Sequence, residues 1–260
     1  AAAEVQAVAT TDRRVATEFE ADAASIGALE GSARGARNVR RRIEAMERLG
    51  PVGVADGRLL DVGCANGAYT RALADRFAAV DAIDIELDRL DAFAVDKPDH
   101  VAVHLMSANE MTFDDDTFDQ VTLIEVLEHV ADPAAALAEI ARVLVPEGSL
   151  FLTTPSRLWP FEQHGVKLGG RRFPGVALPG LVWCKPLHRR LSPSDAFTRS
   201  DLGALAEDAG LKLAGVTWMM PPLDSLPEGH VAHRVTERAE RSPLSALGQT
   251  IVARLTTPAR

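Results

Sequence analysis

The chain is short of several things at once, and each shortage narrows what it can be. Among its 260 residues only Cys64 and Cys184 are cysteine, too few for a disulfide framework. One tyrosine, three tryptophans and an aromatic share of 5% leave the core to aliphatic side chains. No apolar run approaches the ~20 residues of a bilayer span, and neither an internal repeat nor a low-complexity tract is present. Positive charge is also scarce. Lysine and arginine number 28 against 37 aspartates and glutamates, for a net charge of −9, which argues against a nucleic-acid partner, since phosphate binding needs a basic face. The opening stretch AAAEVQAVATTDRR has neither the basic start nor the apolar centre of a secretory signal. A cytoplasmic protein is expected.

What remains is an ordinary globular composition, 47% hydrophobic and 25% charged, at a length that suits one α/β domain with decorations. The chain is organised around Arg58 to Thr70, RLLDVGCANGAYT. Arg58–Val62 reads as a buried strand introduced by the turn pair Asp56-Gly57, and Gly63 to Gly67 as a tight loop of small residues. Tyr69, Ala72, Leu73 and Phe77 recur at helical spacing, so a helix starts near Ala68. Such a strand, loop and helix start lets backbone approach a ligand closely and offers N–H groups to an anion. Two nucleotide-binding patterns fail here. The G-x-G-x-x-G fingerprint finds Ala65 and Ala68 at its second and third glycine positions, and Gly67-Ala68-Tyr69 does not supply the Gly-Lys-Ser/Thr of a Walker loop.

Further along, Ala78–Ile85 is a second strand ending on Asp84. An acid there, about 20 residues past the first strand, suits the two hydroxyls of a ribose; capping of the next helix is the alternative use, and Glu86 is a nearby substitute. His100–Leu105, Phe118–Ile124 and Ser149–Thr154 read as the third, fourth and fifth strands. Asp132-Pro133 opens a helix with Leu137, Ile140, Ala141 and Leu144 on one face. Pro155 to Phe197 loses periodicity, and a long irregular segment inside a compact domain is usually functional. Thr198 and Asp201 then form a capping pair for a helix closed by Gly210. Leu211–Trp218 is a sixth strand, 228–242 a helix, and Gly248–Thr256 a closing strand. Residues 1–50 read as helical with a break around Gly27 to Gly35. Arg34, Arg37, Arg40, Arg41 and Arg42 there form either a solvated face or the wall of a site that receives an acidic substrate.

Asp61, Gly63, Cys64 and Gly67 together resemble motif I of the class I S-adenosylmethionine-dependent methyltransferases, D-x-G-C-G-x-G, with Ala65 in place of the middle glycine. Glu125-Val126-Leu127-Glu128-His129-Val130 resembles the E-V-L-E-H-V signature of the ubiquinone and menaquinone methyltransferase-like branch. Arg142 to Gly148 is similar to its R-x-L-x-P-G-G turn. The resemblance covers about residues 58–155 by motif and 198–256 by architecture. It implies a Rossmann-like, doubly wound, seven-stranded and mostly parallel sheet, with helices on both faces and the last strand antiparallel. A helical extension (1–50) would precede the methyltransferase domain (51–260), and an insertion after strand 5 (155–197) would roof the substrate pocket.

The implied cofactor is S-adenosylmethionine, with S-adenosylhomocysteine as product. Its expected contacts are Asp61, Gly63, Cys64, Ala65, Asn66 and Gly67 in the loop, and Asp84 and Ile85 at the ribose. Ser107, Ala108 and Asn109 would lie at the adenine, with serine where the family usually has an acid, and Glu125 near the methionine amino group. Asn66 either touches the methionine end or fills a left-handed loop position. His129 is the expected general base, unless it orients the loop instead. Glu162 and His164 form a second catalytic candidate pair, a carboxylate close enough in sequence to orient an imidazole or bind a polyol. Only two ligand types lie together there, so no metal is expected. Trp159, Phe161, Phe173 and Trp183, with Arg171, Arg172, His188, Arg189 and Arg190, suggest an apolar pocket with a basic rim. The acceptor would then be a small or amphiphilic molecule, methylated at oxygen rather than at nitrogen or carbon. PGVALPGLVW is apolar enough to touch a membrane surface and too short to span one. Two alternatives stay open: a non-catalytic relative that serves as a partner subunit, and an NAD(P)-dependent oxidoreductase. A homodimer is compatible with all of these.

Overall fold

Strand β1 (Val54–Val62) is buried on both faces at its carboxyl end, and its neighbouring side chains serve opposite cores. Leu59 packs with one hydrophobic cluster and Leu60 with the other, as a parallel strand covered by helices on both sides must. The computed structural model describes residues 33–169, 171–192, 194–221, 223 and 230–259. Beside β1 lie β2 (Phe77–Asp84), β3 (Val101–Leu105), β4 (Phe118–Ile124), β5 (Leu144–Pro155), β8 (Lys212–Met219) and β9 (Thr250–Thr256). Their order is β3-β2-β1-β4-β5-β9-β8. All neighbouring pairs are parallel except β5/β9 and β9/β8, so the closing strand alone runs against the rest. The strand order reverses between β1 and β4, which is where open α/β sheets hold ligands.

Helices α1 (Ala33–Glu47), α2 (Ala68–Leu73) and α3 (Leu87–Ala94) cover one face, inserting Val39, Ile43, Met46, Leu73, Leu90 and Phe93. The other face is filled by Leu137, Ile140 and Val143 of α4 (Pro133–Val143) and by Leu202 and Ala206 of α6 (Arg199–Asp208). Local chemistry starts these helices where the sequence suggests. Asp132 accepts from the N–H groups of Ala134 and Ala135, with Pro133 at the first turn, and Thr198 and Asp201 form a reciprocal capping box. Helix α7 (Val231–Glu240) lies within the expected 228–242. Among the described residues no helix is long and apolar enough to cross a membrane.

Three expectations need correction. The Asp56-Gly57 pair is not a turn before β1 but an irregularity inside it, since pairing with β2 begins at Val54↔Phe77 and resumes at Arg58↔Ala79. Residues 155–197 are not irregular throughout. They contain a short antiparallel hairpin, β6 (Val166–Leu168) with β7 (Arg171–Phe173), and helix α5 (Lys185–Leu191), elements too brief to leave a period in the sequence. The break expected around Gly27 to Gly35 does not take in Ala33 to Gly35, which belong to α1; the rest of it lies outside the described residues. The helix expected ahead of that break lies outside the described residues.

One buried acid joins three of these elements. Asp61, 2% exposed near the end of β1, accepts hydrogen bonds from Thr70 Oγ1 of α2 at 2.6 Å and from Thr122 Oγ1 of β4 at 2.7 Å. Burial pushes its carboxyl pKa up, and the two hydroxyls pull it partly back. Asp61→Ala would leave both hydroxyls without that acceptor, at about 1–3 kcal/mol for each buried group left unpaired. Urea denaturation should show a lower midpoint at unchanged slope. A midpoint equal to that of the unsubstituted chain would mean that this tie does not hold the three elements together.

Candidate active site

The loop after β1 folds as it does because two of its positions exclude side chains. Gly63 and Gly67 have φ of +73° and +79°. A Cβ at Gly63 would come within 2.3 Å of Val126, and one at Gly67 within 2.3 Å of the Phe93 ring. Between them Ala65 also takes a left-handed conformation, φ +48°, a shape that costs a non-glycine residue about 1–2 kcal/mol. Its N–H donates to Asp84 Oδ2 at 2.8 Å, which helps to hold it there. Asn66 is not a left-handed residue of this loop; its Oδ1 accepts from the Ala68 N–H at 3.3 Å, at the start of α2.

Above the loop is a cavity of about 420 Å³, inside the ~300–1,000 Å³ range of small-molecule sites. Gly63, Cys64, Ala65, Asn66, Asp84, Ile85, Ser107, Ala108, Asn109 and Glu125 all line it. Asp61 and Gly67 do not. Asp61 sits beneath the loop with both oxygens occupied by hydroxyls, and Gly67 packs its Cα against the Phe93 ring. Asp84 accepts a backbone N–H on each carboxylate oxygen and caps no helix. Its Oδ1 accepts the Glu86 N–H at 2.9 Å and its Oδ2 that of Ala65, and each carboxylate oxygen retains a second lone pair. Glu86 is spent on Arg89, 2.7 Å away. The Ser107 hydroxyl accepts from the Asn109 N–H at 3.2 Å, and the Asn109 amide donates to the Asp132 carbonyl at 2.8 Å.

A second wall comes from α1. Arg42 donates to the Tyr69 hydroxyl at 2.7 Å and pairs with Glu125 Oε1 at 3.2 Å. Burial opposes its charge, but Glu125 and Tyr69 outweigh that and hold its pKa above the usual value. Glu125 has φ +54° and accepts from Thr153 Oγ1 at 2.8 Å. The arginine cluster of the sequence therefore divides. Arg42 faces the site, whereas Arg41 pairs with Glu240 at 2.7 Å. Spacing alone could not separate the two, because neither partner is near in sequence.

The remaining corner is histidine-rich. His129 follows β4 and His164 comes from the 155–197 segment; their rings meet edge to face with centroids 4.8 Å apart, and both line the cavity. Burial, then the neighbouring His164, hold the His129 pKa well below its ordinary value. Burial likewise pushes Glu128 well above the usual carboxyl range. Glu128, His129 and His164 each bring one donor atom within 4.8 Å of the others. Glu162 does not line the cavity. It lies behind His164 with His188 and Ser194 as partners, and Ser194 had no signal in the sequence. Burial works against the Glu162 charge, yet hydrogen bonds from His164 and His188 keep its pKa below the ordinary range.

The family model described as "Methyltransferase domain" matches residues 60–152. Among curated proteins, the ubiquinone biosynthesis O-methyltransferase of Xanthomonas euvesicatoria pv. vesicatoria is 32% identical over 171 residues, which cover 64% of this chain and 67% of that one. The protein of the same name from Xanthomonas campestris pv. campestris is 36% identical over 173 residues, covering 65% and 68%. Among solved structures, a chain of the complex between the Haloferax volcanii Trm112 methyltransferase activator and a methyltransferase superposes with a TM-score of 0.63 at 22% identity, over 93% of this chain and 98% of that one. An S-adenosylmethionine-dependent methyltransferase from Mesorhizobium loti gives 0.61 at 17%, over 88% and 99%. Strand order, glycine loop and relatives agree, and the chain belongs to the class I S-adenosylmethionine-dependent methyltransferases.

Proposed function

We propose that this methyltransferase acts on a hydroxyl of a small or amphiphilic molecule, with residues 155–197 forming the acceptor side of the site. The observation that carries this reading is the cavity itself, which runs from the Asp84 carboxylate and the Gly63–Asn66 loop to two histidines. Similarity to relatives named for O-methylation in ubiquinone biosynthesis supports oxygen as the methylated atom. The cofactor, when bound, supplies a methyl group on a sulfonium whose positive charge disappears as the methyl is transferred.

The chain's own residues fit that cofactor. Asp84 offers two acceptors for the paired hydroxyls of a ribose, Ser107 and Ala108 bound the adenine end, and Glu125 stands at the methionine end with Arg42 balancing its charge. The loop places backbone against the ligand, where a side chain at Gly63 would already collide with Val126. Ala65 keeps the left-handed shape that the family's glycine would have, so this departure does not close the site. A hydroxyl acceptor must also give up a proton, and the His129–His164 corner is where a neutral imidazole can take it.

Calorimetric titration with S-adenosylhomocysteine, with NADH and NADPH alongside, is the direct test. Binding of S-adenosylhomocysteine alone, in the micromolar range, is expected; binding of a nicotinamide nucleotide would overturn the assignment of the loop. Asp84→Ala should weaken S-adenosylhomocysteine by about 1 kcal/mol or more, the cost of ribose hydroxyls without acceptors. Affinity unchanged by that substitution would remove Asp84 from the ribose. His129→Ala should keep S-adenosylhomocysteine affinity and slow turnover of labelled methyl into a phenolic acceptor panel by about tenfold or more. Equal turnover would remove His129 as the base.

A further inference from the structure

The segment after β5 is two-sided, because each of its short elements buries one residue and leaves a neighbour outside. In β6 Val166 is buried and Leu168 exposed. Gly175 is buried where a Cβ would overlap the Glu162 carbonyl, and Val176 beside it is 65% exposed. Leu181 and Val182 are buried while Trp183 is 62% exposed, and in α5 His188 is buried while Leu187 is exposed. The inner side is pinned. His188 pairs with Glu162, and the Gly180 N–H donates to the Pro160 carbonyl at 2.6 Å, so the outer side chains are held outward. Phe173 and Trp183, expected from the sequence to wall a pocket, do not line the cavity and are both exposed. Charge follows the same face. From Lys167 to Arg190 the chain has six lysines and arginines and no aspartate or glutamate, within a molecule whose net charge is −9. Lys167, Arg171, Lys185, Arg189 and Arg190 are exposed. Two of them are partly balanced, Arg189 by Asp195 at 3.0 Å and Lys185 by Asp201 at 3.4 Å.

We propose that this face docks on an anionic lipid bilayer, with Leu168, Phe173, Val176, Leu178, Trp183 and Leu187 entering the head-group region and the surrounding cations meeting anionic head groups. The inference rests on the reading of the methyl acceptor as an amphiphilic molecule. His164, which lines the cavity, lies on the same segment two residues before Val166, so an acceptor held in a bilayer would be presented at the acceptor side of the site. Clustered exposed apolar side chains mark an interaction surface. A tryptophan and aliphatic side chains bordered by lysine and arginine suit the boundary between head groups and acyl chains. The overall negative charge does not oppose this. In about 0.1 M salt a charge is felt over ~10 Å, so a bilayer at this face meets the local cations before the acids of distant elements. The apolar run is too short to span a bilayer, which makes the contact peripheral and reversible.

The test needs no knowledge of the acceptor. The full chain is sedimented with vesicles of phosphatidylcholine, alone or with about a third of phosphatidylglycerol, in about 0.1 M and about 0.5 M sodium chloride. Binding to the anionic vesicles is expected, and about tenfold weaker binding to neutral vesicles and at the higher salt. Trp183→Ala should lower the partition coefficient by about tenfold, and Arg171→Glu combined with Arg190→Glu by about tenfold or more. None of these residues lines the cavity, so each variant should keep the S-adenosylhomocysteine affinity of the unsubstituted chain, which also reports that it is folded. Absence of binding to either vesicle would overturn the proposal, as would binding that is indifferent to Trp183 and to the two arginines. Self-association without lipid that Trp183→Ala abolishes would overturn it too, by assigning the face to a second copy of the chain. The two readings fail separately: a chain that sediments with anionic vesicles but does not bind S-adenosylhomocysteine would keep the docking face and lose the cofactor assignment.

Discussion

The site depends on how the loop after β1 is held, and two carboxylates hold it from opposite sides. Asp61 lies below, tied to Thr70 and Thr122; Asp84 lies to the side, tied to the Ala65 N–H. The first fixes α2 and β4 against β1. The second fixes the one non-glycine residue that must be left-handed between Gly63 and Gly67. With both in place, backbone lies where a ligand can touch it and the cavity has a floor. The difference between the two acids is burial of function as much as of atoms. Asp61 is saturated by hydroxyls and serves the fold, whereas Asp84 keeps lone pairs on the cavity side.

Legibility in the sequence followed the range of the interaction. The seven strands were readable because parallel strands covered on both faces leave short apolar runs, and Asp132-Pro133 and Thr198–Asp201 were readable because caps act within three residues. The loop was readable too, including its departure from the family. Ala65 stands where a glycine is usual, as does Glu147 in the turn before the body of β5, and both have positive φ, +48° and +62°. The backbone shape thus persists at these positions without the residue that makes it easiest. Asp61 was read as a ligand contact because its motif position was visible and its two hydroxyl partners were not.

Long-range partners were the hidden part. Nothing near Arg42 in sequence distinguishes it from Arg41, and only the folded chain sends one to Glu125 and the other to Glu240. Glu162 and His164 were singled out for their proximity in the chain. Their partners Ser194 and His188 lie 30 and 26 residues away respectively; Ser194 stands in no pattern, and His188, read as part of a basic rim, is buried against Glu162 instead. The 155–197 segment is also tied by backbone to the turn after β4, where the Asp195 N–H donates to the Glu128 carbonyl at 2.9 Å. The residue next to Glu128 is His129, so the same peptide stretch that faces the cavity also anchors this segment.

The place of β9 has a consequence for how the protein comes into being. It inserts between β5 and β8, and its Arg254 reaches Ser149 across 105 residues of chain. Until that late strand arrives, β5 presents an open row of backbone donors and acceptors beside an apolar face, which is a template for pairing with another chain. Non-local closure of this kind is slow, because the loop entropy is lost before the contacts are gained. During synthesis the emerging polypeptide would therefore carry a nearly complete nucleotide-binding half with an unguarded edge. Its yield in a cell should be governed by how quickly that edge is covered, rather than by the stability of the finished sheet.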